Sequence, residues 1–374
     1  MTSRERILLT LRHQQPDRVP LDGWFRPEIE QKLAEKLGTE WRAVLGLDWE
    51  GGCECRVEWP EWSRRTDLAV KRGDWPGAGG AYLWHDGNTL EDLWGVIQRI
   101  GSTGKYLQWV SGPLANVDPE SSEAFEAIER LIPPYRLEEP ASILERVREK
   151  QAAGKVAIGG VALPFKTAWY QRGMANLLCD FLIHADFAHA AMDRIFGWET
   201  ERARRMAAAG VEIITVVGDI ATQDRLLFSH DVFNEYLKPR LKKLVTTARA
   251  ASPLPHLYFF YHCDGNLTEL LPDFIEELEF DIINPIQPEC MDCYAIKQRY
   301  GNRVTLHGTM SVVDLLPNGP IERIRQTVRE RVDRLACNGG FVLSSSNVIG
   351  YDTPIEHVLA MYEEARNYTS DRWG

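Results

Sequence analysis

Short β-branched or aromatic runs separated by longer amphipathic stretches punctuate this chain from end to end, and that alternation limits its fold more than any other feature. The runs are Arg18-Val19-Pro20-Leu21-Asp22, Val156 to Val161, Ile213 to Val217, Leu257 to Tyr261, Phe280 to Asn284, Val304 to His307 and Phe341 to Ser344. Strand and helix alternating at this spacing predict a parallel sheet with helices outside it. An eighth strand is expected near Cys53 to Glu58, and eight favour a closed (β/α)8 TIM barrel over an open doubly wound sheet. No Gly-x-Gly-x-x-Gly follows an early strand, which removes the main support for a nucleotide-binding fold. Neither a low-complexity tract nor a Ser/Gly linker divides the chain, so residues 1–374 read as a single domain.

A net charge of −11 argues against phosphate backbones and anionic membranes as partners, since both demand clustered Lys and Arg. No run approaches the ~20 apolar residues that span a bilayer. Met1-Thr2-Ser3-Arg4-Glu5-Arg6 opens an amphipathic helix rather than an export signal, so a cytoplasmic protein is expected. The 7 cysteines, odd in number and without framework spacing, read as reduced thiols.

The aromatic run Tyr258-Phe259-Phe260-Tyr261 ends abruptly in His262-Cys263-Asp264-Gly265-Asn266. Successive side chains of a strand point to opposite faces, so His262 and Asp264 share one face and Cys263 takes the other. An imidazole and a carboxylate together, beside a glycine that admits a close approach to the backbone, suit either a metal site or an acid/base pair. In a barrel the chemistry sits at the carboxyl ends of the strands, and here those ends are polar. They carry Asp22-Gly23-Trp24-Phe25-Arg26, Gly218-Asp219 to Gln223, Asn284-Pro285-Ile286-Gln287, His307-Gly308 and Ser344-Ser345-Ser346-Asn347. Each alone is an ordinary cap or turn, and it is their convergence on one rim that marks a site.

Several segments carry a resemblance over almost the whole chain: Arg4-Glu5-Arg6-Ile7-Leu8 through Asp17-Arg18-Val19-Pro20, Gly218-Asp219 to Gln223, Asn284-Pro285-Ile286-Gln287-Pro288, and Asp352-Thr353-Pro354-Ile355-Glu356. The chain resembles the uroporphyrinogen decarboxylase superfamily, which includes the decarboxylase and cobamide-dependent methyltransferases. The resemblance implies a TIM barrel, and the clustering of tryptophans from Trp24 to Trp109 reads as an aromatic-rich N-terminal insertion.

Three local comparisons choose a branch. Where the decarboxylase has Met-Arg-Gln-Ala-Gly-Arg, this chain has Leu21-Asp22-Gly23-Trp24-Phe25-Arg26, one arginine and an aspartate that would repel a polycarboxylate. Pro164-Phe165-Lys166-Thr167-Ala168-Trp169-Tyr170 nevertheless places Tyr170 where that enzyme has an active-site tyrosine. Where coenzyme M methyltransferases hold zinc with His-x-Cys-Gly and a later cysteine, His262-Cys263-Asp264-Gly265 puts aspartate at the ligand position, and the later one falls among Ser344 to Asn347. Thiol activation of that kind lacks its sulfur ligands. Ala168-Trp169-Tyr170-Gln171-Arg172-Gly173-Met174 is similar to the demethylase-type corrinoid methyltransferases.

That branch implies transfer of a methyl group from a small methylated donor, such as an aromatic methyl ether, to the cobalt of a corrinoid on a partner protein. The expected catalytic residues are His262, Asp264, Asp219 and Tyr170, with Asp22, Trp24, Arg26, Gln223, Asn284, Gln287, His307 and Asn347 around the substrate. His262 would protonate the leaving oxygen directly, or with Asp264 would hold a metal, zinc being the candidate; the sequence leaves both open. The alternatives are a decarboxylase or lyase of a small carboxylate, oriented by Tyr170 and Arg26, and a family member that binds a corrinoid or tetrapyrrole without turnover.

Two features stand outside this scheme. Cys290-Met291-Asp292-Cys293 has metal-clip spacing but lacks a second ligand pair. Of the 12 tryptophans, all but Trp169, Trp198 and Trp373 fall from Trp24 to Trp109, where they suit packing against the barrel or a lid over an aromatic substrate.

Overall fold

The computed structural model describes residues 1–57, 70–72, 81–86, 88–92, 94–102, 107–131 and 136–371, with backbone alone at 70–72, 81–84 and 131. An antiparallel sheet in the N-terminal part runs in sequence order through β1 (Val70–Arg72), β2 (Ala81–Trp84), β3 (Thr89–Glu91), β4 (Ile97–Ile100) and β5 (Leu107–Ser111). A second sheet, parallel throughout, comprises β6 (Ile158–Ala162), β7 (Ile213–Val217), β8 (Tyr258–His262), β9 (Ile282–Asn284), β10 (Thr305–Met310) and β11 (Phe341–Ser345), each beside its sequence neighbour. Helices fill every crossover, from Pro164–Arg172 and Ala185–Ala208 between β6 and β7 to Ile321–Leu335 before β11. The protein is therefore α/β, and six of the expected strands form within a few residues of their sequence positions.

The flanking segments differ from expectation. Around Leu21 there is a single parallel bridge to Leu343 rather than a strand, and Phe25 bridges Ile349 in the same way. The expected strand near Cys53 to Glu58 is likewise absent among the described residues; the Cys53 amide donates to the Ile158 carbonyl at 3.0 Å, and Val57 bridges Leu137 antiparallel. The Asp48 amide donates to the Leu21 carbonyl at 2.8 Å. These contacts extend the parallel sheet beyond both β11 and β6.

β8 shows why the aromatic run is a strand. All five of its residues are buried, as a central parallel strand covered on both faces requires. Tyr261 stacks on Phe274 at 4.2 Å and Phe259 meets Phe280 at 5.9 Å on the helix side. Tyr258 and Phe260 join Ile158, Ile213, Ile282 and Val342 on the opposite face, where Ile7, Leu8 and Leu11 of the helix Ser3–Leu11 pack against them. The period of two thus separates two cores, and His262, Asn284 and His307 continue the inner face toward the carboxyl ends of their strands. No helix among the described residues is long and apolar enough to cross a membrane.

Candidate active site

At the end of β8 the strand parity delivers the expected pair: His262 Nε2 lies 3.9 Å from Asp264 Oδ1. Asp219, two residues past β7, accepts the Asp264 amide at 2.8 Å through Oδ1. One ligand atom from each of Asp219, His262 and Asp264 lies within 4.8 Å of the others, an arrangement able to hold a metal ion. Three protein ligands with an open fourth position is the pattern of catalytic rather than structural zinc. The Asn347 side-chain amide donates to Asp264 Oδ2, and Gln287 Oε1 accepts the Gly265 amide at 3.0 Å.

Burial raises the Asp264 carboxyl above its ordinary value, and the Asp219 charge raises it further; His262, Asn347 and Lys166 pull the other way. No Arg or Lys among the described residues forms an ion pair with either aspartate. Two carboxylates held together without a cation are costly unless a positive charge joins them. The donor set therefore fits a divalent cation with oxygen and imidazole preferences, such as zinc.

A cavity of about 270 Å³ opens beside these groups, lined by Thr222, Gln223, Asp264, Gln287, Val312 and Asn347 among others. Among the described residues, no charged side chain other than that of Asp264 lines it. Gly265 lines the cavity, its φ is +90°, and a Cβ there would meet the Thr222 carbonyl oxygen at 2.5 Å. The Ala221–Thr222 turn thus packs against this glycine in a way a side chain would prevent.

The other expected residues divide into two groups. Gln223, Gln287 and Asn347 line the cavity. Asp22, Asn284 and His307, expected from sequence around the substrate, are buried at 2%, 2% and 0% exposure and form a contiguous line. Asn284 Oδ1 lies 2.5 Å from His262 Nδ1, and Asn284 Nδ2 lies 2.7 Å from His307 Nδ1. His307 Nε2 in turn faces Asp22 Oδ2 at 3.1 Å, off the line of a straight hydrogen bond. The Trp24 ring lies 5.1 Å from that of His262, and Trp49 and Phe260 enclose His307 at 5.3 and 5.2 Å. Arg26 stands at the entry to the helix Pro27–Leu37, where its amide donates to the Ile349 carbonyl.

Tyr170 ends the helix Pro164–Arg172, and burial together with the charges of Asp92 and Asp219 raises its hydroxyl. Asp92 is a residue the sequence did not single out. It follows β3, and its Oδ1 accepts the Trp94 and Val96 amides at 2.8 and 3.0 Å. The only signal was the turn pattern Asp92-Leu93-Trp94-Gly95, which many surface loops share. Lys166, one turn before Tyr170 and acting on Asp264, was equally silent.

The cysteines take no part. Cys263 points away from His262, its sulfur accepting the Ile220 amide, and burial pushes its thiol well above the usual range. In the Cys-x-x-Cys segment burial pushes Cys290 up to about 11 and raises Cys293, so neither thiolate forms readily for a metal. Among the tryptophans, Trp109 donates from its indole to the Tyr170 carbonyl at 2.6 Å and Trp94 packs edge-on to Trp198. Trp59, Trp62, Trp75 and the Trp84 side chain lie outside the described residues.

The family model for uroporphyrinogen decarboxylase (URO-D) matches residues 90–368. The chain belongs to this family. Over 248 residues it is 23% identical to a methylated-thiol–coenzyme M methyltransferase of Methanosarcina mazei, a match covering 65% of this chain and 63% of that protein. The matched region thus spans less than two thirds of the curated relative. A solved structure described as a methyltransferase from Methanosarcina mazei superimposes with a TM-score of 0.63 at 18% identity, covering 98% of both chains, and so shares the fold.

Proposed function

We propose that this URO-D family member is a methyltransferase that moves a methyl group from a small oxygen-linked donor to the cobalt of a corrinoid carried by a partner protein. The observation that carries the reading is the convergence of Asp219, His262 and Asp264 on one point, without sulfur, beside a cavity of about 270 Å³. That volume lies below the ~300–1,000 Å³ of sites for drug-sized ligands, so the fit is to a small donor and not to an enclosed tetrapyrrole. Among the described residues no Arg or Lys lines the cavity, which disfavours carboxylate substrates for a decarboxylase. The likeness to a methyltransferase acting on methylated thiols supports the reaction class. The replacement of a ligand cysteine by Asp264 supports an oxygen leaving group rather than a thiol acceptor.

As the cobalt nucleophile takes the methyl group, the bond between methyl and oxygen breaks and the leaving oxygen keeps the electron pair. A divalent cation, when bound, supplies positive charge at that oxygen. Asp219, His262 and Asp264 would hold the cation, Asn347 orients the Asp264 carboxylate, and Gln287 pins the backbone at Gly265. Val312 and Val313 give the cavity an apolar wall for the methyl-bearing group. A closed eight-stranded barrel spanning residues 1–374 as one domain belongs to the same proposal, supported by the contacts of Leu21 with Leu343 and of Cys53 with Ile158.

The purified protein, offered cob(I)alamin or a corrinoid protein with a panel of methoxylated aromatics, should form methylcobalamin with at least one of them, followed by visible spectroscopy. Metal analysis should find about one equivalent bound. Persistent cob(I)alamin with every ether, amine and thioether would favour a binding protein without turnover, and formation of coproporphyrinogen from uroporphyrinogen would overturn the choice of branch.

A further inference from the structure

Three neighbouring strands and the segment beside β11 each contribute a polar side chain to a single buried line: His262 from β8, Asn284 from β9, His307 from β10 and Asp22, whose amide donates to the Leu343 carbonyl of β11. Its separations are 2.5, 2.7 and 3.1 Å from His262 to Asp22. Trp24, Trp49 and Phe260 wall it in. Such a line has a direction, set by which atoms carry hydrogen.

The direction follows from its buried anion. Asp22 Oδ2 and His307 Nε2 approach each other at 3.1 Å and have no hydrogen-bond partner among the described residues. A bare imidazole nitrogen facing a carboxylate would set lone pair against charge, so His307 carries its proton on Nε2 and leaves Nδ1 bare. A bare Nδ1 requires a donor, and the Asn284 amide nitrogen stands there at 2.7 Å. The Asn284 carbonyl oxygen then faces His262 and can only accept, so His262 is protonated on Nδ1. Its Nε2 is left bare 3.9 Å from Asp264 Oδ1, beyond hydrogen-bond reach, whereas the 3.1 Å approach of Asp22 to His307 Nε2 is close enough to require a proton there.

We infer that Asp22, His307 and Asn284 are positioning residues that hold His262 in the Nδ1–H form with Nε2 bare, which commits it to bind a cation rather than to donate a proton. The inference rests on the metal reading of the site and decides between the two roles the sequence left open for His262. Reversing the Asn284 amide would place hydrogen on His262 Nε2, the general-acid form, and would point the bare His307 Nε2 at Asp22. Asp22, through two intervening side chains, therefore sets the chemistry of a histidine it does not touch.

The test reads protonation sites directly. In protein labelled with 15N-histidine and free of metal, a long-range 1H–15N correlation spectrum, assigned with the His262→Gln and His307→Gln variants, should show His262 as Nδ1–H and His307 as Nε2–H. An amide at position 22 both donates and accepts, so Asp22→Asn should give mixed tautomers at His262 and weaken Zn²⁺ binding by about 10–100-fold in calorimetry. His262 carrying hydrogen on Nε2 in the unmodified protein would overturn the inference, whether or not any variant folds. So would an Asp22→Asn protein with unchanged tautomer and affinity. Unchanged Zn²⁺ affinity in His262→Ala would instead overturn the metal reading, and because the tautomers are read without metal the two failures are separable.

Discussion

Asp48 and Asp264 are carboxylates in two regions of one molecule, and their surroundings differ in one respect. Asp48, 1% exposed, receives Arg6 at 2.6 Å, Arg18 at 2.8 Å and the Leu21 amide at 3.0 Å, so burial is matched by two cations and a backbone donor. Asp264 has the Asn347 amide, a histidine at 3.9 Å and a second carboxylate, Asp219, for company. The first is a finished structural junction. The second has its charge unbalanced, and that difference separates a group that stabilises the fold from one that serves a site.

The largest expected effect breaks the site. His262→Ala and Asp264→Ala should each lower methyl-transfer turnover by at least about 100-fold, the lower end for loss of a group that assists a leaving atom. Circular dichroism should be unchanged. Near-full activity in His262→Ala would move the chemistry elsewhere on the rim, with Asp219 the next residue to replace.

Asp48→Ala should do the reverse. Removing the buried carboxylate that joins the Arg6 and Arg18 guanidiniums, and leaving Arg18 without an anionic partner among the described residues, costs about 3–5 kcal/mol of stability, measurable by urea denaturation, while any folded fraction keeps its turnover. A loss below about 1 kcal/mol would mean that Asp17, which also binds Arg6 at 2.6 Å, suffices alone and that the contrast with Asp264 is overdrawn.

A divalent cation sharpens the comparison. At a hundredfold excess over its Kd, Zn²⁺ should add about 2.7 kcal/mol to the stability of the unmodified protein, reversed by a chelator. Asp219→Ala and Asp264→Ala should lose that increment, and Asp48→Ala should retain it from a lower baseline. An equal increment in all of them would place the cation outside the site.

The same contrast explains what the sequence made legible. β8 was visible because a strand buried on both faces must be apolar throughout, and the strand period then placed His262 with Asp264. The segment from Cys53 to Glu58 misled because its residues suit a strand, yet its described pairing is one amide bond to Ile158 and a bridge at Val57; that is a tertiary outcome, not a local propensity. Asp22, Asn284 and His307 stood at strand ends like Gln223, Gln287 and Asn347, which line the cavity. Only the lateral register, which brings His262 opposite Asn284, turns them inward onto one another. Asp92 was missed since its importance comes from the helix Pro164–Arg172 folding back beside it, some eighty residues later.

Asp92 is the intermediate case and carries the smallest predicted effect. It has two backbone donors but no ion pair among the described residues, and burial pushes its carboxyl up to about 6, with Val96 and Trp94 pulling down and Glu91 adding to the rise. The folded protein therefore holds the Asp92 proton more tightly than the unfolded chain, whose value lies near 3.8. Its contribution to stability is fully present below pH 3.8 and is lost as pH rises through about 6. Asn at this position keeps an oxygen for the Trp94 and Val96 amides but never ionises. Asp92→Asn should consequently match the unmodified protein near pH 4 and exceed it in Tm above pH 6, with the difference growing between those limits. It should also lower the Tyr170 hydroxyl, which the Asp92 charge helps to raise, and an ultraviolet titration of the tyrosinate would report it. A Tm difference that is flat across this range, or larger at acid pH, would show that Asp92 is neutralised like Asp48 and belongs with the structural carboxylates.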